Sequence, residues 1–330
     1  MSSASGQAPS AMKVAAAFGT VYLVWGSTYF FIRLSVEHIP PMLVGAFRYV
    51  LAGLMMLVWC LFTKERIFSW RVIRPAMVSG LLLLLGGNGL LIWAEQYVPS
   101  SLAAILLSSG PIWFVVLDRG KWRENFRSKA TISGLIVGSI GVLLLLGERL
   151  IGEAGETAGK GGGMAALAVL VLACVSWAAG SLYSKYKTVG NSNVVNAGWQ
   201  MTAAGVGFVV CSAVAGEWGH FRPREVPMLS WISIIYLVIM GSLVAYTAYT
   251  WLLQVRPATQ VSTHAYVNPV VAVLLGVAFA GERLSFVQLI GLIVILFSVL
   301  LINLAKYRAG VRSRGNKWGS KGVLVPTDTQ

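Results

Sequence analysis

Apolar stretches of about twenty residues follow one another along almost the whole chain, with short polar connections between them. A helix of about that length crosses the hydrocarbon core of a bilayer, so we predict an all-α integral membrane protein. The first stretch is too long for a cleaved signal peptide, and we interpret it as a retained span. Ten transmembrane helices are predicted, at Val14–Leu34, Met42–Phe62, Pro75–Gln96, Ser101–Leu117, Ala130–Gly147, Met164–Ser184, Val194–Ala215, Leu229–Leu252, Ala258–Ala280 and Phe286–Ala305.

The chain contains an internal repeat. The spacing W-x2-Q-x2-P-x11-P begins at Trp93 and again 158 positions later at Trp251. Further matches, at an offset of 152, pair Trp25 with Trp177, Phe47 with Trp199, Arg48 with Gln200, and Gly53 with Gly205. A repeat of this length indicates that the chain was built twice from one unit.

Each copy of the repeat holds five predicted spans. Because five is an odd number, the second copy must enter the membrane upside down relative to the first. We therefore predict two inverted five-helix repeats, residues 14–147 and 164–305. A Gly- and Glu-rich flexible linker, 148–163, joins them, and a basic tail, 306–330, follows as an anchor near anionic lipid headgroups.

Charge is scarce and unevenly placed. Only 12% of residues are charged, yet the net charge is +14. With both termini in the cytoplasm, 19 Lys and Arg residues lie inside and 6 outside, as the positive-inside rule requires. The charge therefore needs no nucleic-acid partner. Cys60, Cys174 and Cys211 lie in apolar stretches and are interpreted as packing residues.

Several short motifs resemble those of the EamA family of the drug/metabolite transporter superfamily. They are Trp25-Gly-Ser-Thr-Tyr, Pro40-Pro41 with Arg48, Gly87-Asn-Gly, Ala265-Tyr-Val-Asn-Pro-Val and Gly281-Glu-Arg-Leu. The resemblance covers the chain from about Val14 to Ala305. It implies a ten-helix carrier of small metabolites in the bacterial inner membrane, in many members an exporter of amino acids.

Span nine carries three polar residues at helical spacing. Gln260, His264 and Asn268 occupy i, i+4 and i+8 and should share one face of the helix. Strong hydrogen-bonding side chains do not comfortably face lipid. They either line a substrate cavity or form hydrogen bonds between helices. His264 is also a candidate for proton coupling.

Aromatic residues near the middle of other spans are further candidates for the wall of a cavity. Tyr246 and Tyr249 lie deep in span eight, where an interfacial aromatic belt does not reach. Trp25 and Trp177 are equivalent in the two halves and could flank a pocket. Asn88 stands in a glycine run that favours a bend or a close helix approach. Ordinary packing is the alternative for each of them.

Two charged residues have candidate gating or coupling roles. Glu95 lies close to the outer surface, where a vestibule carboxylate is the simplest interpretation. Arg48 lies inside span two, and burying an unpaired Arg there costs about 2.5–3.5 kcal/mol. It therefore needs backbone carbonyls, an acid or water as partner, or else a substrate carboxylate; the structural partner is the favoured interpretation.

These features favour an alternating-access carrier that binds substrate between the halves and exports neutral amino acids, aromatic and large apolar ones most readily. A broad drug/metabolite effluxer, possibly proton-coupled, is the alternative. An enzyme is disfavoured because no HExxH or Ser–His spacing is present and the only aspartates are Asp118 and Asp328. A receptor or scaffold would not require the duplication. No cofactor or metal is expected, and the partners are a small-molecule substrate and the lipid bilayer, with a monomer or weak homo-oligomer.

Overall fold

The computed structural model describes residues 9–95, 97, 103, 106–159, 163–188, 192–280, 285–287 and 289–302. Within these ranges the protein is helical and has no strand. The helices are α1 Ala11–Val36, α2 Pro41–Phe62, α3 Trp70–Ala94, α4 Gly110–Leu117, α5 Trp122–Arg127, α6 Lys129–Gly159, α7 Gly163–Lys187, α8 Asn193–Val214, α9 Glu217–His220, α10 Met228–Val255, α11 Ala258–Val261, α12 His264–Ala280 and α13 Leu289–Ile302.

Six of these helices are long and apolar enough to cross a membrane, namely α1, α2, α3, α7, α8 and α10. The described ranges give a seventh span if the pair Arg119–Arg127 and Lys129–Leu144, bent by 89°, is counted as one. Large apolar side chains on these helices are exposed, as Trp59 on α2 shows. Such a surface suits lipid and would aggregate in water. The structure therefore supports a multispanning protein and leaves the number of ten spans a prediction.

One predicted boundary differs from the structure. Helix α6 continues to Gly159, twelve residues past the predicted end of span five, so most of the predicted flexible linker is helical. The division into 14–147, 164–305 and the tail stays a prediction, and the Gly281-Glu-Arg-Leu motif and the tail lie outside the described residues.

Span nine is divided into α11 and α12 by a turn at residues 262–263. The hydroxyl of Ser262 donates to the carbonyl of Thr259 at 3.0 Å, and that of Thr263 donates to the carbonyl of Gln260 at 2.7 Å. Side chains of this kind compete with the backbone for its helical hydrogen bonds. A continuous helix through Gln260, His264 and Asn268 was therefore the wrong expectation.

Helices α2 and α8 cross closely at glycines that the repeat makes equivalent. A Cβ on Gly53 would lie 2.6 Å from the Thr202 hydroxyl, and a Cβ on Gly205 would lie 2.7 Å from the Val50 nitrogen. Gly53 pairs with Gly205, and Val50 with Thr202, at the same offset of 152. The earlier residue of α2, Val50, contacts the later residue of α8, Gly205, and Gly53 contacts Thr202. Helices α2 and α8 therefore run antiparallel.

The directions of the other packed helices can be read from their contacts in the same way. Leu34 accepts a hydrogen bond from Ser230 at 2.8 Å, whereas Trp25 donates to the carbonyl of Gly241 at 3.1 Å. Helices α1 and α10 are therefore antiparallel. Tyr22 bonds Thr263 at 2.7 Å, and a Cβ on Gly26 would meet Val271, so α1 and α12 are parallel.

Helices α3 and α10 each contain a π-helical segment, Leu81–Gly89 and Leu237–Tyr246. The two segments fall at equivalent places in the repeat, and their residues Asn88 and Tyr246 are separated by the same 158 positions as the tryptophan motifs. Wide π turns occur most often at functional sites. Here they face the centre of the bundle.

Glu217 caps the beginning of α2. Its carboxylate accepts hydrogen bonds from the backbone nitrogens of Met42 at 3.1 Å and Leu43 at 2.9 Å, and from the Ser212 hydroxyl at 2.8 Å. These nitrogens have no acceptor within their own helix, and a carboxylate also offsets the positive end of the helix dipole. The short helix α9 thus ties α2 to the end of α8.

Replacing Glu217 with Gln is expected to lower the free energy of unfolding by about 1–2 kcal/mol, because the cap loses its charge and one acceptor. The measurement is the thermal midpoint of the purified protein in detergent. Glu225→Gln, on the same connection but exposed, is the matched control and should leave the midpoint unchanged. Equal midpoints for the two variants would show that the cap contributes little.

Candidate functional site

A cavity lies at the centre of the bundle, between α1, α2, α3, α4, α7, α10 and α12. It holds about 860 Å³ of unoccupied space, its opening to solvent included. We call it the central cavity, and its described lining comprises Trp25, Thr28, Tyr29, Ile32, Arg48, Tyr49, Leu84, Gly87, Asn88, Leu91, Leu107, Gly110, Phe114, Ala173, Cys174, Trp177, Ser242, Tyr246, Ser262, His264, Ala265 and Asn268.

Three rings, those of Trp25, Trp177 and His264, line the central cavity, and the ring of Tyr249 packs against them. The Trp25 ring centroid lies 5.4 Å from that of Trp177, 4.9 Å from that of Tyr249 and 5.0 Å from that of His264. The Trp25–Trp177 and Trp25–His264 contacts are edge-to-face, a favoured arrangement for aromatic pairs. The two tryptophans, equivalent in the repeat, therefore meet beside the cavity, and Tyr249 packs behind them.

Hydrogen bonds fix these rings. The Trp25 indole donates to the carbonyl of Gly241, and the Trp177 indole donates to the Tyr249 hydroxyl at 3.0 Å. The Ser181 hydroxyl donates to the carbonyl of Trp177 at 2.7 Å, so Tyr249 is the donor in its 2.6 Å bond to Ser181. With their polar atoms satisfied inside the protein, the tryptophan rings present mainly apolar surface to the cavity.

Three other lining residues have buried polar atoms without a partner in the described part of the chain. They are the Tyr49 hydroxyl, both ring nitrogens of His264 and the Asn268 side-chain oxygen. The residues are only 1%, 8% and 4% exposed. An unpaired buried polar group costs about 1–3 kcal/mol. Such groups collected on one cavity indicate a place where a ligand completes the hydrogen bonds.

Arg48 contributes a charge to the same wall. It is 5% exposed, its Nε donates to the Ser242 hydroxyl at 2.9 Å, and its guanidinium carbon lies 4.9 Å from the centroid of the Tyr49 ring. In the described ranges the only ion pairs are Arg33 with Glu37 and Lys121 with Glu124, so no carboxylate neutralises Arg48 there. The expected acid or carbonyl partner is replaced by a hydroxyl and an aromatic face.

Gln200, the equivalent of Arg48 in the second half, is fully bonded. Its side-chain oxygen accepts from Tyr246 at 2.8 Å, and its nitrogen donates to Ser79 at 2.8 Å and Ser184 at 3.0 Å. The position that carries the charge of Arg48 in the first half is thus occupied in the second half by Gln200, whose hydrogen bonds join helices. Tyr246 belongs to this hydrogen-bond network as well as to the cavity wall.

The structure separates three of the sequence-predicted residues from the cavity. Tyr249 packs behind the two tryptophans and is not part of the lining. Gln260 lies on α11, before the turn at 262–263, and does not line it. Glu95 follows the end of α3 and is also absent from the lining. Trp25, Arg48, Asn88, Trp177, Tyr246, His264 and Asn268 do line it. Sequence reasoning missed Tyr49, whose only signal is its place beside Arg48.

Sequence reasoning also missed a group of contacts between helix ends, which we call the Lys185 cluster. The Lys185 ammonium donates to the carbonyls of Leu253 and Arg256, the latter at 2.7 Å, and the Tyr186 hydroxyl donates to Asp118 at 2.8 Å. These bonds join the ends of α7, α10 and α4. They lie at the end of the bundle where α1 begins.

At the opposite end of the bundle, the end of α1 meets the beginning of α2. The α1 residues that line the cavity all lie in its second half, from Trp25 to Ile32, and those of α2 lie in its first half. Arg33, the equivalent of Lys185 in the first half, is 73% exposed here and only 3.8 Å from Glu37, one turn along the same helix.

Comparison with known proteins agrees with this architecture. A model of the EamA-like transporter family matches residues 13–147 and 164–304. The uncharacterized inner membrane transporter YedA of Escherichia coli K12 is 36% identical over 291 residues, which cover 87% of this chain and 89% of that protein. A protein of Salmonella typhimurium named a probable amino-acid metabolite efflux pump is 25% identical over 306 residues, or 87% of this chain and 93% of that one.

A solved crystal structure matches the fold with a TM-score of 0.71 at 19% identity, covering 91% of this chain and 99% of the other. At that identity the likeness concerns the fold alone. The family match spans both halves of the chain, and the YedA match independently covers most of it. The protein is therefore a membrane transporter, not an enzyme, and it belongs to the EamA-like transporter family.

Proposed function

We propose that the protein is an alternating-access exporter of neutral amino acids, aromatic and large apolar ones most readily. The observation that carries the proposal is the central cavity. Its aromatic wall suits an apolar side chain, and the unpartnered atoms of Tyr49, His264 and Asn268 suit the polar end of the same molecule. The name of the Salmonella relative, an amino-acid metabolite efflux pump, points to the same class of substrate.

We further propose ten spans arranged as two inverted repeats in a bacterial inner membrane. The antiparallel crossing of the equivalent helices α2 and α8 supports the inversion, because upright repeats would place their equivalent helices in the same direction. The paired π segments and the tryptophan pair support the repeat itself. The name of the YedA relative supports the inner membrane.

Purified protein in lipid vesicles tests the substrate. Radiolabelled phenylalanine, leucine and lysine are offered beside the cationic dye ethidium, and uptake is compared with that of empty vesicles. We expect phenylalanine and leucine to enter in a saturable way and ethidium not to enter. Uptake of ethidium without any amino acid would replace the proposal with a drug effluxer. The described lining contains no carboxylate to attract such a cation.

The topology has its own test. With both termini in the cytoplasm, the segment 148–163 lies outside, so a cysteine placed there in a cysteine-free variant should react with an impermeant maleimide added to intact cells. A cysteine replacing Lys64, between α2 and α3, should react only after the membrane is opened. The reverse pattern would contradict the orientation, and labelling of both from one side would contradict the inversion.

A further inference from the structure

We propose that Arg48 and Tyr49 form a carboxylate subsite in the central cavity, so that a carboxylate is required in the substrate and an amino group is not. This deepens the proposed function by naming the chemical class: carboxylates with an aromatic or large apolar body, which include amino acids and their deaminated analogues.

The positive charge of Arg48 is not compensated by any described residue. A guanidinium has five N–H donors, and in the described part of the chain the side chain makes one hydrogen bond, from Nε to Ser242. It is 5% exposed, and no carboxylate of a described residue lies within ion-pair distance. A buried charge needs a partner, and the fork of N–H groups matches the two oxygens of a carboxylate. The cavity that Arg48 lines is the place from which such a partner can come.

Tyr49 supplies a second donor. Its ring lies beside the guanidinium and the residue is 1% exposed. Its hydroxyl has no hydrogen-bond partner among the described residues. The ring is held in place by Phe208, whose centroid lies 5.5 Å away in a stacked arrangement. A phenol donates readily to a carboxylate, and a fixed ring loses little entropy when it does so.

The rest of the cavity holds an ammonium group only weakly. The unpartnered acceptors are the neutral Asn268 oxygen and one nitrogen of His264, and no acidic residue belongs to the described lining. Neutral acceptors bind a cation less strongly than a carboxylate would. Trp25 connects this region to Arg48, since its indole bonds Gly241, next to Ser242, and its ring contacts His264.

The subsite belongs to one half only. In the second half the equivalent of Arg48 is Gln200, which is neutral and bonded to Tyr246, Ser79 and Ser184. Two equivalent halves therefore provide one positive charge at the cavity, which suits a substrate with a single carboxylate. A dicarboxylate would leave its second charge without a partner among the described lining residues.

The test compares three ligands with the same aromatic body: phenylalanine, 3-phenylpropionate and phenethylamine. Binding to full-length protein in lipid nanodiscs is followed by tryptophan fluorescence, which Trp25 and Trp177 make sensitive to the cavity. We expect the two carboxylates to bind with affinities within about ten-fold of each other, and phenethylamine to bind at least about ten-fold more weakly. Equal or tighter binding of phenethylamine would overturn the proposal.

Variants locate the subsite. Arg48→Gln should weaken the binding of both phenylalanine and 3-phenylpropionate by about ten-fold, and Tyr49→Phe should weaken it by about three-fold. Both variants should leave the affinity for phenethylamine unchanged. Arg224→Gln, an exposed arginine in the connection between α9 and α10, is the matched control. Tyr49→Phe removes only an unpartnered hydroxyl and should fold normally, so it decides the matter if Arg48→Gln does not fold. Unchanged carboxylate binding in Tyr49→Phe and in any folded Arg48 variant would refute the subsite.

The proposed function can fail separately. If wild-type protein binds 3-phenylpropionate through Arg48 but vesicles accumulate no phenylalanine, amino-acid export is wrong and the carboxylate subsite stands. If phenylalanine is transported while the Arg48 and Tyr49 variants bind and transport it normally, export stands and the subsite is wrong.

Discussion

Gly80→Ala is expected to abolish most of the folded protein, although alanine is the better helix former by about 1 kcal/mol. A Cβ at residue 80 would lie 2.2 Å from the carbonyl oxygen of Gln200 and 2.6 Å from its Cα. Both are backbone atoms, so relief requires α3 and α8 to move apart. Overpacking of this kind costs about 3 kcal/mol or more when the neighbour cannot yield. The measurement is the yield of monodisperse protein after extraction in detergent, with its thermal midpoint.

Gly19→Ala is the matched control. Gly19 is also inside a helix, and nothing lies within 4 Å of the position its Cβ would take. Its midpoint should stay the same or rise slightly. If Gly80→Ala extracts and melts like Gly19→Ala, then α3 and α8 are farther apart than the structure places them. The packing of the two halves would then need revision.

His264→Ala is expected to lower transport about ten-fold. Loss of the buried ring also leaves a void beside Trp25, so the thermal midpoint should fall as well. Both ring nitrogens are buried without a partner among the residues that the structure describes. The folded protein therefore gains little from them, whereas a bound substrate can use them. Sites of this kind trade stability for function. Initial rates of phenylalanine uptake into vesicles, at matched protein density, provide the measurement.

His264→Phe distinguishes the nitrogens from the ring. Phenylalanine retains the edge-to-face contact with Trp25 and supplies no hydrogen bond. It should transport as poorly as the alanine variant. Full activity in His264→Phe would show that packing alone is required at this position. A lower thermal midpoint of His264→Phe together with its loss of transport would point to a structural role.

Tyr246 behaves differently from His264, although the sequence suggested the same role for both. Its hydroxyl bonds Gln200 at 2.8 Å and its side chain is among the largest fully buried ones. Truncation to alanine would leave a void and an unpaired amide oxygen, so it should reduce the protein level as well as transport. The conservative variant Tyr246→Phe is therefore the informative one.

The sequence predicted well what depends on periodicity and repetition. Apolar length places α1, α2, α3, α7, α8 and α10, and the repeat anticipates that Trp25 and Trp177 share a site, because equivalent positions of two packed halves meet near their axis. It also predicted that the glycine run at Asn88 allows close approach: a Cβ on Gly87 would lie 2.8 Å from Trp177.

Local hydrogen bonding and partner choice were less predictable. The helical spacing of Gln260 to Asn268 implies one face only if the helix is continuous, and Ser262 and Thr263 interrupt it. Nothing in the spacing tells that Arg48 has no acid beside it, since its neighbours come from distant parts of the chain. The bonds of Lys185 to carbonyls have no sequence signature at all.

Lys185, which donates to backbone carbonyls, and the exposed Arg33 occupy equivalent positions in the two halves. Ionic strength should therefore affect the two ends of the transporter differently. In the proposed alternating-access cycle the two halves exchange environments. Arg33 is then expected to close the other end against the end of α3, where Glu95 stands in the place of Leu253. Closure would then be an ion pair at one end and an ammonium–carbonyl contact at the other. Salt screens the ion pair more strongly, so raising salt should favour the state that is open at the Arg33 end. A cysteine at Thr28 should then react faster with an impermeant reagent in high salt, and a rate independent of salt would show that Arg33 and Glu95 do not pair.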